Sequence, residues 1–84
     1  MVVYGTRQCG DCRLAKRTLS RLGEPYEWID LDEHPEDVAI VLALNSGLHV
    51  VPTIVLPDGE VLVEPDAAEL GAAIARLRDS RMSG

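Results

Sequence analysis

The first part of the chain carries a hydrophobic pattern that predicts a buried strand followed by an amphipathic helix. Residues 2–5 (Val-Val-Tyr-Gly) are mostly apolar and are predicted to form a short buried strand. From about Gly10 to Leu22, apolar or small side chains recur at three- and four-residue spacing, and basic side chains occupy most positions between them. Gly23 follows as a left-handed residue that ends the helix.

The middle of the chain predicts a second strand and a second helix. Residues 26–31 alternate between apolar and polar side chains and include tyrosine, tryptophan and isoleucine, which is typical of a strand. Residues 35–37 (Pro-Glu-Asp) have the composition of a first helical turn. Residues 38–44 are apolar enough to form a strand, but this first turn and the Asn-Ser-Gly stop at 45–47 favour a helix.

The last third of the chain predicts a β-hairpin and a final helix. Residues 53–56 and 60–64 are both rich in β-branched and apolar side chains, and they flank the strong turn signal Pro-Asp-Gly at 57–59. Asp66, with Glu69 three residues later, resembles the capping box that begins a helix. Apolar residues then follow at helical spacing.

The order of these elements predicts an α/β fold of the type βαβαββα. The first βαβ unit requires a parallel strand pair and a right-handed crossover, and the hairpin adds two antiparallel strands. We therefore expect a four-stranded mixed sheet with helices on both faces. The domain is predicted to span residues 1–79, followed by a disordered C-terminal tail at 80–84.

Composition and charge narrow the possible functions. With 84 residues, of which 46% are hydrophobic, the chain is expected to form one folded domain. Its formal net charge of −6 disfavours nucleic acid and anionic membrane as partners. No apolar run is long enough to span a bilayer, and nothing at the start resembles a signal peptide. The expected protein is a cytoplasmic monomer.

Cys9-Gly10-Asp11-Cys12 is the segment with the most distinctive chemistry. Three-residue spacing at a helix start places both sulfur atoms on one side of the first turn, close enough to bond. The unpaired amides and the dipole of a helix N-terminus favour the thiolate, which is the attacking species in disulfide exchange. Cys9 is therefore the predicted nucleophile, and Cys12 is placed to attack a mixed disulfide formed at Cys9.

A metal site is the alternative interpretation of the cysteine pair. Tetrahedral zinc needs four ligands, and the two histidines, His34 and His49, are distant from the motif in sequence. Two chains would each have to contribute a cysteine pair. A C-x-x-C motif beside a βαβ pattern is a redox signature, so we predict thiol–disulfide chemistry and no metal.

The chain resembles the glutaredoxin branch of the thioredoxin superfamily. The resemblance rests on residues 2–5 leading into the cysteine motif, on Val51-Pro52-Thr53, and on the hairpin turn at 57–59, and it covers nearly the whole chain. Within this branch the chain is most similar to the mycoredoxin-type short glutaredoxins. The resemblance implies a thioredoxin fold and an oxidoreductase that reduces mixed disulfides of proteins or low-molecular-weight thiols.

The resemblance also implies how substrates bind. In the family, the proline that corresponds to Pro52 is cis and lies beside the cysteines, and the backbone of the preceding residue, here Val51, pairs with an extended substrate. No bound cofactor is implied. The co-substrate is a low-molecular-weight thiol (mycothiol, bacillithiol or glutathione). The implied partners are this thiol, disulfide-containing client proteins and, as a further candidate, a flavin reductase.

Parts of the predicted substrate-binding set differ from the family pattern. Glutathione-using relatives have a Gly-Gly segment that binds the α-carboxylate of glutathione, whereas this chain has Glu64, Pro65 and Asp66 at that position. This difference weakens carboxylate binding there and favours a thiol other than glutathione. Arg7 is the nearest cation before the motif and replaces the usual lysine. Asp11 stands where many relatives have proline or an aromatic residue, and Gln8 completes the predicted set.

Two alternative functions remain open at this point. The first is a dithiol electron donor for ribonucleotide reductase, although residues 64–66 lack the aromatic-containing segment of those proteins. The second is a metal- or iron–sulfur-bridged dimer that uses Cys9 from two chains.

Overall fold

The fold contains four short strands and three helices in the predicted order. In this computed structural model, the backbone is described for residues 1–83 and the side chains for residues 1–80. The elements are β1 (Val2–Gly5), α1 (Gly10–Arg21), β2 (Glu27–Asp30), a 3₁₀ turn (Pro35–Asp37), α2 (Val38–Leu44), β3 (Thr53–Val55), β4 (Val61–Val63) and α3 (Ala67–Ser83).

The strands form one mixed sheet in the order β2-β1-β3-β4. Strands β1 and β2 are parallel, with Gly5 opposite Asp30, whereas β3 runs antiparallel to both β1 and β4. Tyr4, near the end of β1, is opposite Thr53, the first residue of β3. The loop that leaves β1 and the loop that enters β3 therefore meet at the same end of the sheet.

The two faces of the sheet carry separate hydrophobic cores, because successive strand residues point to opposite faces. Val3 faces the larger core, in which α1 and α3 pack, and Tyr4 faces the smaller core, in which α2 packs. The buried residues of the larger core are Val3, Ala15, Leu19, Ile54, Leu56, Leu70, Ala73, Ile74 and Leu77. Those of the smaller core are Tyr4, Leu31 and Val41. The predicted α/β architecture with helices on both faces is confirmed.

Helix α1 ends in the manner that its sequence predicts. Gly23 has a φ of +68°, a conformation that a residue with a Cβ adopts only with strain. The Gly23 N–H donates to the Ser20 carbonyl, and the Glu24 N–H donates to the Leu19 carbonyl. This pair of bonds is the Schellman arrangement, which satisfies carbonyl groups that the helix end would otherwise leave free.

The second helix differs from prediction in where it begins. It is predicted from Pro35, but residues 35–37 form a 3₁₀ turn and α2 begins at Val38. Helix α3 runs from Ala67 to Ser83, and its residues 72–83 contain neither glycine nor proline. Gly84 lies outside the described residues, and the domain limits and the disorder of 80–84 stay predictions. No helix within residues 1–83 has the length and hydropathy needed to cross a membrane.

Candidate active site

The first turn of α1 brings the two cysteines together. Cys9 has extended backbone angles and is the N-cap of α1, where its Sγ accepts a hydrogen bond from the Cys12 N–H at 3.2 Å. Cys9 is half-buried, whereas Cys12 is fully buried, and both are free thiols. The pair therefore consists of one thiol that a substrate can reach and a second thiol behind it.

Burial gives Cys12 an unusual pKa. The largest effect is the loss of hydration, and the hydrogen bond to the Cys9 side chain and the nearby charge of Asp11 act in the same direction. A hydrogen bond with the backbone of Thr6 opposes them. Together these effects raise the pKa of Cys12 to about 12. Cys12 is consequently held as the neutral thiol at neutral pH, and Cys9 is the more accessible of the two thiols.

The two thiols should therefore differ strongly in alkylation by iodoacetamide. With a pKa of about 12, roughly one Cys12 side chain in ten thousand carries a thiolate at pH 8. We expect peptide mass mapping of the reduced, folded chain to find the label on Cys9 alone, with Cys12 labelled only after unfolding in guanidinium chloride. Equal labelling of both cysteines in the folded chain would contradict this assignment.

Gly5 and Trp28 form the wall behind Cys12, a role that the sequence patterns do not reveal. A Cβ on Gly5 would lie 2.6 Å from the Cys12 Sγ and 2.7 Å from the indole ring of Trp28. The Lys16 Nζ lies over the Trp28 ring, 4.1 Å from its centroid. A glycine at the last position of a strand, just before the cysteine loop, is the only signal in the sequence that points to this close packing.

Pro52 lies at the same end of the sheet as the cysteines. The Val51–Pro52 peptide bond is cis, as the resemblance implies, and Pro52 is fully buried. The Cys9 thiol donates to the Val51 carbonyl over 3.9 Å. Val51 precedes β3 and is not paired with β1, whose register with β3 stops at Thr53. The structure therefore joins the two motifs that the sequence places 42 residues apart.

A buried hydrogen-bond network holds the segment that carries Pro52. The Thr53 hydroxyl donates to the Val50 carbonyl at 2.7 Å and accepts from the Asn45 side-chain amide at 2.9 Å. Because Thr53 is completely buried, the loss of either bond would leave a polar group without a hydrogen-bond partner, since water cannot reach it. Asn45, predicted only as a helix stop, therefore also fixes the loop that carries Val51 and Pro52.

The structure places Glu64 beside Pro52. The Glu64 N–H donates to the Pro52 carbonyl at 2.9 Å, and Glu64 has a positive φ of +47°. Pro65 is buried, and the Asp66 carboxylate accepts the Glu69 N–H at 2.7 Å, which caps α3 as predicted. This segment therefore lies near the cysteines, but the Glu64 N–H is already hydrogen-bonded and Pro65 has no N–H to donate.

The side chain of Arg7 is directed toward the end of β2. Its Nε donates to the Asp30 carboxylate at 3.1 Å, and a second guanidinium nitrogen pairs with Glu33. Asp30 is only 4% exposed, so the pair anchors the loop that leads to Cys9. Gln8 and Asp11 are exposed on either side of Cys9. The binding roles predicted for these residues stay predictions.

One group of side chains among the described residues could share a metal ion. It consists of His34, Glu36 and Asp37, at the 3₁₀ turn before α2, and it includes neither cysteine. His34 and Glu36 already contact each other at 3.4 Å. The metal- or iron–sulfur-bridged dimer stays a prediction, as does the monomeric state.

The fold and the two adjacent free thiols at the start of α1 define a protein of the thioredoxin-like class. The glutaredoxin family model matches residues 1–62. Mycoredoxin 1 of Corynebacterium glutamicum (strain ATCC 13032) is 35% identical over 77 residues, which cover 92% of this chain and 95% of that protein. Two Mycobacterium tuberculosis proteins with glutaredoxin in their names are each 29% identical over 77 residues, covering 92% of both chains. The chain belongs to the glutaredoxin family.

Proposed function

We propose that this protein is a thiol–disulfide oxidoreductase that reduces mixed disulfides between client proteins and a low-molecular-weight thiol. The observation that carries the proposal is the contrast between the two thiols. Cys9 is accessible at the N-terminus of α1, and its Sγ accepts a hydrogen bond from the Cys12 N–H, whereas the Cys12 thiol is buried and has a pKa of about 12. The membership of the glutaredoxin family supports this class of reaction.

The first step is an attack by the Cys9 thiolate on one sulfur of the substrate disulfide. A Cys9–substrate disulfide forms, the substrate S–S bond breaks, and the client leaves as a thiolate that takes up a proton from water. The Cys12 N–H, which points at the Cys9 Sγ, stabilises negative charge on that sulfur before the attack. The small thiol remains attached to Cys9.

The second step regenerates Cys9. A second molecule of the small thiol attacks the adduct as its thiolate, so that a small-molecule disulfide leaves and the Cys9 thiolate returns. The alternative is an attack by Cys12, which must first lose its proton. Burial is the largest cause of the raised pKa of Cys12 and persists in the adduct, which favours the route through the small thiol.

The site also favours a particular kind of small thiol. Near Pro52, the Glu64 amide is already bonded, Pro65 has no N–H, and the Asp66 carboxylate caps α3. Glu64 and Pro65 offer no free backbone N–H to a carboxylate, and the side chains of Glu64 and Asp66 add negative charge, which disfavours glutathione. We therefore infer mycothiol, which carries no carboxylate, as the co-substrate, with a flavin reductase as the candidate that returns the oxidised small thiol to its reduced form.

The test uses a Cys12→Ser variant and three versions of one peptide, disulfide-linked to mycothiol, bacillithiol or glutathione. Intact mass spectrometry of the acid-quenched reaction should find a single adduct on Cys9 with the mass of the small thiol. The adduct should form faster with mycothiol than with bacillithiol or glutathione, and a Cys9→Ser variant should form none. Adducts of the peptide itself, or no adduct from any of the three, would contradict the proposal.

The role of electron donor to ribonucleotide reductase stays a prediction. It requires that Cys12 attack Cys9 and form the internal disulfide. The high pKa of Cys12 makes this route the slower one at neutral pH.

A further inference from the structure

We propose that the groove along α1 is a docking site for a short acidic segment of the client protein; this inference rests on the proposed function. The groove has a volume of about 480 Å³ and is lined by Gly10, Arg13, Lys16 and Arg17. Gly10 directly follows the nucleophile Cys9. A peptide that lies in the groove is therefore continuous with the position of the reacting sulfur.

The cations of the groove have no carboxylate partner among the described side chains, although the chain is rich in carboxylates. It contains 14 Asp and Glu residues and eight Lys and Arg residues. Outside α1, the described arginines Arg7, Arg76 and Arg78 each lie within 4.0 Å of a carboxylate oxygen. Among the side chains of residues 1–80, no carboxylate lies within that distance of Arg13, Lys16 or Arg17. This charge distribution leaves three adjacent cations free for an external anionic partner.

Two of these cations are held in place without being neutralised. The Lys16 Nζ lies 4.1 Å from the centroid of the Trp28 ring, a contact that orients an ammonium group and leaves its charge unpaired. Arg13 donates to the Arg7 carbonyl at 3.3 Å, which is a neutral acceptor. Trp28 and Arg7 belong to the wall and the loop of the cysteine site, so the groove and the site are parts of one surface.

The length of the groove sets the size of the ligand. From Gly10 to Arg17 the helix rises by roughly 10 Å, at 1.5 Å per residue. An extended peptide covers this distance with about three residues. The matching ligand has acidic side chains at two to four residues from its disulfide-linked cysteine. The net charge of −6 over the whole chain repels long polyanions, which favours a short acidic peptide over nucleic acid.

The test compares two peptides that differ only in charge. Each has one cysteine disulfide-linked to mycothiol, with either glutamate or glutamine at the second to fourth positions on both sides. The Cys9 thiolate attacks the mycothiol sulfur and releases the peptide thiol, so that chromatography of samples quenched in acid at successive times gives the second-order rate constant. At low ionic strength we expect the acidic peptide to react about tenfold faster, and the advantage to shrink in 0.5 M salt.

Two charge reversals on α1 locate the effect. Arg17→Glu should abolish the preference for the acidic peptide. Arg21→Glu, which changes the net charge equally on the same helix but outside the groove, should keep most of it. Thermal melts of both variants check that the fold is intact. If the glutamine peptide reacts but the acidic peptide reacts no faster, the groove proposal is overturned. It is also overturned if Arg17→Glu and Arg21→Glu reduce the preference for the acidic peptide equally. A chain that reduces neither peptide would instead overturn the proposed function.

Discussion

A Cys9→Ser variant is expected to lose thiol–disulfide exchange activity by roughly a thousandfold or more. Serine at this position keeps the cap of α1, because its hydroxyl can still accept the Cys12 N–H. It removes the accessible thiol and leaves only Cys12, which is buried and has a pKa of about 12. The rate of release of the peptide thiol from a mixed disulfide measures the effect.

The Cys12→Ser variant is the matched control for this result. It removes one thiol from the same turn of the same helix, yet it leaves the attacking sulfur in place. We expect it to retain the first exchange step and to remain catalytic when a small thiol is supplied. If Cys9→Ser keeps its activity and Cys12→Ser loses it, the assigned roles of the two cysteines are wrong.

A Gly5→Ala variant is expected to be destabilised by about 1–3 kcal/mol. The added Cβ would lie 2.6 Å from the Cys12 Sγ and 2.7 Å from the nearest Trp28 ring atom. Neither neighbour moves easily, because Cys12 is fixed in the first turn of α1 and the indole is a rigid ring. The expected shift in Tm is roughly 4–8 °C for each kcal/mol in a domain of this size. Urea unfolding of the reduced chain provides the free energy.

Two other glycines serve as matched controls for Gly5→Ala. A Cβ at Gly10 or at Gly71 meets no atom within 4 Å. Gly71 lies inside α3, where alanine is a better helix former by roughly 0.5–1 kcal/mol. Gly71→Ala should therefore raise the stability, and Gly10→Ala should not lower it. An unchanged Tm in Gly5→Ala would show that the wall behind Cys12 is looser than the structure describes.

The order of the elements and the two main motifs could be predicted from the sequence. Both depend on local patterns: the helical period before Gly23, the Pro-Asp-Gly turn at 57–59, and the spacing of Cys9 and Cys12. The cis geometry of Pro52 followed from the family resemblance, and the structure confirms it. The limits of α2 and α3 were less predictable, because tertiary packing and weak end signals determine where a helix stops.

The contacts around the site could not be predicted in the same way. Arg7 and Asp30 are 23 residues apart and meet only because β1 and β2 are parallel neighbours. The close approach of Gly5 to Trp28 likewise depends on the register of those strands. The pattern also does not reveal that Ile40 and Leu44 remain 42% and 39% exposed within the apolar run of α2.

The central claim is that Cys9 exchanges a small thiol with a client disulfide. Its most direct test mixes the reduced wild-type chain with one equivalent of a peptide linked to mycothiol, quenches the reaction in acid at successive times, and determines intact masses. The account predicts that peptide thiol appears together with an adduct of mycothiol mass on Cys9, which added mycothiol then removes. The claim would be contradicted if the chain stayed unmodified and the peptide disulfide were consumed no faster with the protein than without it.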